Sequence, residues 1–221
     1  MKFRHEYKHA INLSDMMCLE RKLSAICRYD SHAEADGTYF IKSLYFDNYL
    51  DKALREKIDG VNFREKFRIR YYGNDTSFIR LEKKSKIDGM CNKVSAPISA
   101  RMCEDIIHGN IDFMLESNIP LMQEFYAKMH YQMLRPKCIV GYTRKCFVHP
   151  MGNVRVTLDY GIGGSTNVNA FLNPGLRFVN TFRGAILEVK WDEYIPSVIM
   201  DAVQTHCRHS AAFSKYAAVR I

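Results

Sequence analysis

The sequence predicts an α+β fold, a closed antiparallel β-barrel of about eight strands flanked by helices. Three observations predict it. Several segments alternate apolar and polar residues with period 2, the strand signal. Segments with helical spacing lie between them. The polar faces of the strands are overwhelmingly cationic while the opposite faces are strongly apolar. A sheet whose apolar face packs on helices can close with its charged face inward, giving a cation-lined lumen with room for a linear polyanion.

The elements follow in order. Residues 2–11 alternate Lys2, Arg4, Glu6 and Lys8 with Phe3, His5, Tyr7 and His9, and read as a strand. Ser14 caps a helix over 15–27, with Met16, Leu19, Leu23 and Ile26 apolar. Residues 40–47 form a strand ending in a turn. Residues 61–72 carry the clearest alternation: Val61, Phe63, Phe67, Ile69 and Tyr71 oppose Arg64, Lys66, Arg68 and Arg70. Gly73-Asn74-Asp75 makes a hairpin turn into strand 77–85, where Ile79 and Leu81 oppose Arg80, Glu82 and Lys84. Ser99 caps a helix over 100–108, stopped by Gly109. Residues 119–134 are helical, with Leu121, Phe125, Met129 and Met133 four apart and Pro136 just beyond. Strands 138–148, 153–160 and 184–191 set Tyr142 with Arg144, Arg155 with Asp159, and Glu188 with Lys190 on single faces. Pro196 starts a helix over 196–206, and Ser214 starts a last short one.

At 221 residues, without a linker, repeat or low-complexity stretch, the chain reads as one domain over 1–221. No run approaches the ~18 apolar residues of a membrane span, and the N-terminus lacks the apolar core of a signal peptide. The seven cysteines have no CxxC and no zinc-like spacing, so they read as reduced thiols of a cytoplasmic protein. The net charge of +8 calls for an anionic partner.

The distribution of that charge is more informative than its size. The polar faces hold Arg4, Lys8, Arg64, Lys66, Arg68, Arg70, Arg80, Lys84, Arg144 and Arg155, against only Glu6, Glu82, Asp159 and Glu188. Like charges across a ladder destabilise each other, so such a face wants an anion. Arginine suits phosphate because its planar fork donates two parallel hydrogen bonds. RNA binders add stacking aromatics to the charged face, whereas the aromatics here oppose it, so nucleic acid is not the expected partner. His206 and His209 lack zinc-spaced partners. Trp191 reads either as packing or as a stacking surface for adenine; His5 and His9 read as packed or capping. Asp159 reads either as an orienter of Arg155 or a neighbouring cation, or as a metal ligand.

An ordered set of motifs resembles a known family. It comprises Arg4-x-Glu6-x-Lys8, Phe67-Arg68-Ile69-Arg70-Tyr71-Tyr72-Gly73, Leu81-Glu82-Lys83-Lys84, Tyr142-x-Arg144, Val154-Arg155-Val156-Thr157-Leu158-Asp159, Leu187-Glu188-Val189-Lys190 and Phe213-Ser214-Lys215-Tyr216. The chain resembles the VTC domain, the polyphosphate polymerase domain of the triphosphate tunnel metalloenzyme, or CYTH, superfamily. The resemblance implies a triphosphate tunnel, with ATP and inorganic polyphosphate as partners and Mn²⁺ or Mg²⁺ as cofactor. It implies phosphate contacts from Lys8, Arg68, Arg70, Lys84, Arg144 and Arg155, with Lys93 and Lys215 as further contacts. It makes Glu188 the metal ligand and Tyr142 and Ser214 polar residues at the substrate. Arg68, Arg70 and Lys215 are the residues expected to act on the transferring group. Wider superfamily members open with Glu-x-Glu-x-Lys; Arg4 replaces the first acid here, which suits a polymerase better than a hydrolase.

The implied reaction moves the γ-phosphoryl group of ATP to a polyphosphate end. The acceptor is already ionised, so positioning and charge neutralisation suffice. Two alternatives stand beside it: a triphosphatase using water in the same tunnel, and a non-catalytic polyphosphate-binding module. The chain carries no membrane span of its own, and the eukaryotic complex of this family leaves room for a membrane-associated partner.

Overall fold

The computed structural model describes residues 5–88, 90–205 and 213–221. Arg4, His206, Cys207 and His209 lie outside the described residues. The strands are β1 (His5–Ile11), β2 (Arg28–Tyr29), β3 (Thr38–Asp47), β4 (Arg64–Tyr72), β5 (Asp75–Ile87), β6 (Met90–Ile98), β7 (Arg135–His149), β8 (Val154–Ser165), β9 (Val179–Asn180) and β10 (Ala185–Trp191). The helices are α1 (Leu13–Ile26), α2 (Lys52–Ile58), α3 (Ala100–His108), α4 (Pro120–Tyr131), α5 (Ser197–Val203) and α6 (Lys215–Arg220).

The α+β class and the antiparallel sheet are as expected. The ladder runs β1-β10-β8-β7-β3-β4-β5-β6, with β2 pairing β7 and β9 pairing β8. The expected closed barrel does not form: the order has two ends, and no ladder joins β1 to β6 among the described residues. The residues of β6 explain why it is an edge. It carries Pro97, which has no N–H to give a further strand, and an exposed Lys93, which discourages one.

The chain divides into two compact units. The first comprises Met1–Phe40, Tyr142–Ile162 and Asn180–Phe213. Its core is the apolar face of β1, β10 and β8, with Ile11, Leu187, Val189, Val156 and Leu158 packed on Leu19 and Leu23 of α1 and Ile199 and Val203 of α5. Trp191 stacks on His5 and meets Tyr7 edge-on, so it serves packing in this unit. Asn12, not Ser14, caps α1: its Oδ1 accepts the Asp15 N–H at 2.7 Å.

The second unit comprises Ile41–Gly141, Gly163–Val179 and Ser214–Ile221. Phe67, Ile69 and Tyr71 of β4 and Ile79 and Leu81 of β5 face Cys103 and Ile106 of α3 and Leu121, Phe125 and Met129 of α4. Phe125 lies against both Phe67 and Phe46. α3 has the expected bounds, with the Ser99 hydroxyl accepting from Met102 and Gly109 closing the helix at φ +87°. α4 stops before residue 134, because Met133 turns to φ +53°. Val61 and Phe63 precede β4 and are exposed, contrary to their expected place on its apolar face.

Candidate functional site

In the second unit, cross-strand register builds a basic face row by row. Ser43 of β3 lies opposite Arg70 of β4, which lies opposite Arg80 of β5. In the next row Tyr45 is followed by Arg68, Glu82 and Ser95 of β6. The third row sets Lys66, Lys84 and Lys93 side by side. The expected alternation holds, and β6, to which the sequence reading assigns no element, brings in Lys93.

Glu82 is the single carboxylate in these three rows. Arg68 grips its Oε2 through Nε at 2.7 Å and Nη2 at 2.5 Å, Lys93 reaches Oε1 at 3.1 Å, and Arg70 stands 4.0 Å away. Burial alone would raise the Glu82 pKa, but Arg68, Arg70 and Lys93 outweigh it and hold the carboxyl well below the usual range. Arg70 also donates to Ser43 Oγ at 3.2 Å, and Arg80 to Ser95 Oγ at 2.9 Å. Lys83, next to Lys84 in sequence, takes the other face and pairs with Glu65 and Glu124 of α4.

α6 is tied to the same side of this unit. Tyr216 stacks on Tyr45, with centroids 5.1 Å apart, and Tyr45 in turn accepts a hydrogen bond from Arg68 at 3.0 Å. Tyr216 donates to Asp47 Oδ2 at 2.8 Å, and Arg220 pairs with Asp51 at 2.9 Å. Lys215 opens the helix, and the Ser214 oxygen accepts the Ala217 N–H at 3.4 Å, acting as its cap. Gly164 lets α6 approach: a Cβ there would lie 2.1 Å from Val219 Cγ1.

The first unit is built differently. Its rows read Glu6–Lys190–Arg155, Lys8–Glu188–Thr157 and Ala10–Ile186–Asp159 across β1, β10 and β8. Lys8 pairs with Glu6 and reaches Glu188 Oε2 at 3.3 Å. Lys190 binds Glu188 Oε1 at 2.7 Å and Glu6 Oε2 at 3.2 Å. Burial opposes charge on Lys8, but Glu188 and Glu6 overcome it and raise its pKa well above the ordinary lysine range. Arg144 forks onto Asp159, with Nε to Oδ1 at 2.5 Å and Nη2 to Oδ2 at 2.7 Å. Asp159 therefore orients a neighbouring cation, and that cation is Arg144. Arg155 binds Asp30 at 2.9 Å and the Tyr39 hydroxyl at 2.7 Å. Tyr142 is buried, its ring 5.6 Å from the Arg144 guanidinium. A cavity of about 330 Å³ opens beside Arg155, walled by Arg28, His149, Pro150 and Asn153.

Lys8, Glu188, Arg144 and Arg155 thus share one unit, with Tyr142, and Arg68, Arg70, Lys84, Lys93, Ser214 and Lys215 share the other. Sequence reasoning counted Glu82 and Glu6 but gave them no role, and it missed Asp30, Tyr39 and Tyr45. Their signal is the cross-strand register.

Glu6 and Glu188 are bridged by the same two lysines, which a hard cation would have to displace from one carboxylate oxygen. No group of three or more His, Cys, Asp or Glu side chains is placed to hold a metal among the described residues. A cation beside Glu188 would complete its shell with phosphate oxygens and water.

Each unit thus packs an apolar strand face on helices and carries rows of charged side chains on its other strand face. The VTC domain family model matches residues 3–220, and the chain belongs to that family. The structure is similar to that of the PH1012 protein of Pyrococcus horikoshii OT3, with a TM-score of 0.54, 10% identity, and coverage of 98% of this chain and 99% of that one. It is also similar to a protein of Vibrio parahaemolyticus provisionally described as an adenylate cyclase (TM-score 0.48, 10% identity, 90% and 82% covered). A Bacillus halodurans protein with the same provisional description has a TM-score of 0.47 and 12% identity, with 86% and 80% covered. No curated protein matches the chain by sequence. Family membership ties the protein to triphosphate and polyphosphate chemistry. None of the described helices is long and apolar enough to cross a membrane.

Proposed function

We propose that the protein is an ATP-dependent polyphosphate polymerase. One observation carries the reading: six cations stand in three adjacent rows of β4, β5 and β6 with one carboxylate among them. Lys66, Lys84 and Lys93 stand side by side across β4, β5 and β6, a spacing of cations that a chain of phosphates can follow. Repeating phosphates at close spacing match a surface of repeating cations better than a single compact anion does.

A terminal oxygen of the polyphosphate chain attacks the γ-phosphorus of ATP. The new P–O bond forms as the bond from γ-phosphorus to the β–γ bridging oxygen breaks, and ADP leaves. The acceptor oxygen is already ionised, so no proton moves. Arg68 and Arg70 orient the phosphates and neutralise charge that builds up on the equatorial oxygens, and Lys215 adds a cation from α6. Lys84, Lys93, Lys8, Arg144 and Arg155 bind flanking phosphates, with Tyr142 and Ser214 as polar neighbours. Glu188 holds Mn²⁺ or Mg²⁺, which supplies further neutralisation when bound. The family match over nearly the whole length supports reading 1–221 as one VTC-like domain, and we place its reaction in the cytoplasm.

The test is to incubate the purified protein with ATP and Mn²⁺ and resolve ADP, free phosphate and polyphosphate. Polyphosphate with ADP is the expected result. Free phosphate with ADP would replace the reading by a triphosphatase, and no turnover would leave a binding module.

A further inference from the structure

Thr157 sits at the centre of the first unit's charged rows. It lies directly opposite Glu188 in the ladder, and Arg155 and Asp159 are its neighbours on the same face of β8. It is 3% exposed. Its Oγ1 is buried and has no hydrogen-bond partner among the described residues. The charged groups around it are satisfied: Glu188 by Lys8 and Lys190, Asp159 by Arg144, and Arg155 by Asp30 and Tyr39.

A buried hydroxyl without a partner is costly, and valine would fill the same space on a strand without that cost. The hydroxyl is therefore kept for something that arrives. The hydroxyl can donate a hydrogen bond to an arriving acceptor, since both carboxylates flanking Thr157 already have cation partners. That acceptor must also tolerate Glu188 one strand away, whose charge Lys8 and Lys190 offset. We infer that the Thr157 hydroxyl donates a hydrogen bond to a phosphate oxygen of the bound triphosphate or polyphosphate. It is a neutral donor among charged ones and so adds direction without adding charge. This rests on the reading of the charged faces as phosphate-binding, but not on the choice between polymerase and hydrolase.

The test measures binding, not turnover, with tripolyphosphate as the probe and calorimetry as the readout. Thr157→Val removes the hydroxyl at nearly constant shape, and Thr157→Ser keeps it. Tripolyphosphate affinity should fall about tenfold in Thr157→Val and stay within about threefold in Thr157→Ser, as expected for one hydrogen bond to a charged acceptor. The salt dependence of binding should be unchanged, because no charge is removed. The melting temperature of Thr157→Val without ligand should be equal to or above that of the parent. Wild-type affinity in Thr157→Val overturns the inference. A lowered melting temperature in Thr157→Val that Thr157→Ser restores, with no loss of affinity beyond threefold, also overturns it, assigning the hydroxyl to a buried structural water. Failure of the parent protein to bind tripolyphosphate at all would instead overturn the phosphate reading of the faces.

Discussion

The two units both line their charged strand faces with cations but manage them in opposite ways. In the first, Lys8, Lys190, Arg144 and Arg155 meet Glu6, Glu188, Asp159 and Asp30, one carboxylate for each cation. In the second, the rows of Lys66, Arg68, Arg70, Arg80, Lys84 and Lys93 contain one carboxylate, Glu82, which Arg68, Arg70 and Lys93 approach. A balanced face holds its side chains in fixed places without a ligand. A face with few carboxylates in its rows presents more positive charge to an incoming polyanion. Under the proposed function, the difference is that the second unit would chiefly anchor the polyanion and the first would position it beside Glu188.

The largest expected effect breaks the comparison at its balanced side. Glu188→Gln should abolish metal-dependent turnover while metal-free tripolyphosphate binding stays equal or tightens, because one negative charge leaves the ladder. Full activity of this variant across a Mn²⁺ titration would remove Glu188 from the metal. Next in size is Lys215→Ala, which should cut ATP turnover by about 10²–10³-fold at saturating ATP and metal, the usual cost of a preorganised electrostatic contact. A drop under about threefold with unchanged stability would return Lys215 to solvent and leave the cations of the strands to act alone.

The third prediction sharpens the contrast through stability. Glu82→Gln should cost about 3–5 kcal/mol, since Arg68 and Arg70 remain buried without their counter-charge. Added tripolyphosphate should recover more stability in the variant than in the parent. The pH dependence has a definite sign. A carboxyl held below its unfolded value stabilises the fold above ~4.3, and that contribution disappears as pH falls through its lower folded value. Lys8, held above its unfolded value, contributes fully below ~10.4 and loses its contribution only at still higher pH. Denaturant titrations across pH should therefore show that Glu82→Gln flattens the acid limb and leaves the alkaline limb alone.

Much of this arrangement is legible in the residues, and the exceptions have physical causes. The faces of β4 and β5 follow from strict alternation, and α3 from Ser99 and Gly109. The partner of Arg68 does not follow from the turn. Tyr72 lies opposite Asp75, and counting back from there would set Arg68 against Ile79; an irregularity between Arg70 and Tyr72 shifts the register and sets it against Glu82. β6 is hidden because Pro97 interrupts a strand pattern, as edge strands permit and central ones do not. α2 has seven residues, too few to display a period, and takes its cap from Asp47, whose Oδ1 accepts from Ala53 and Oδ2 from Leu54. Barrel closure is a statement about which strands have no further partner, and alternation within a strand says nothing of that. Thr157 carries no charge, so only its burial and lack of a partner reveal it.

The most direct measurement is a crystal structure of the protein with tripolyphosphate. The account predicts phosphate oxygens within hydrogen-bond distance of Arg68 and Arg70 on the β4–β5 rows, with the grip of Arg68 on Glu82 loosened or shared. A tripolyphosphate bound elsewhere, with Arg68 still fully engaged by Glu82, would contradict it.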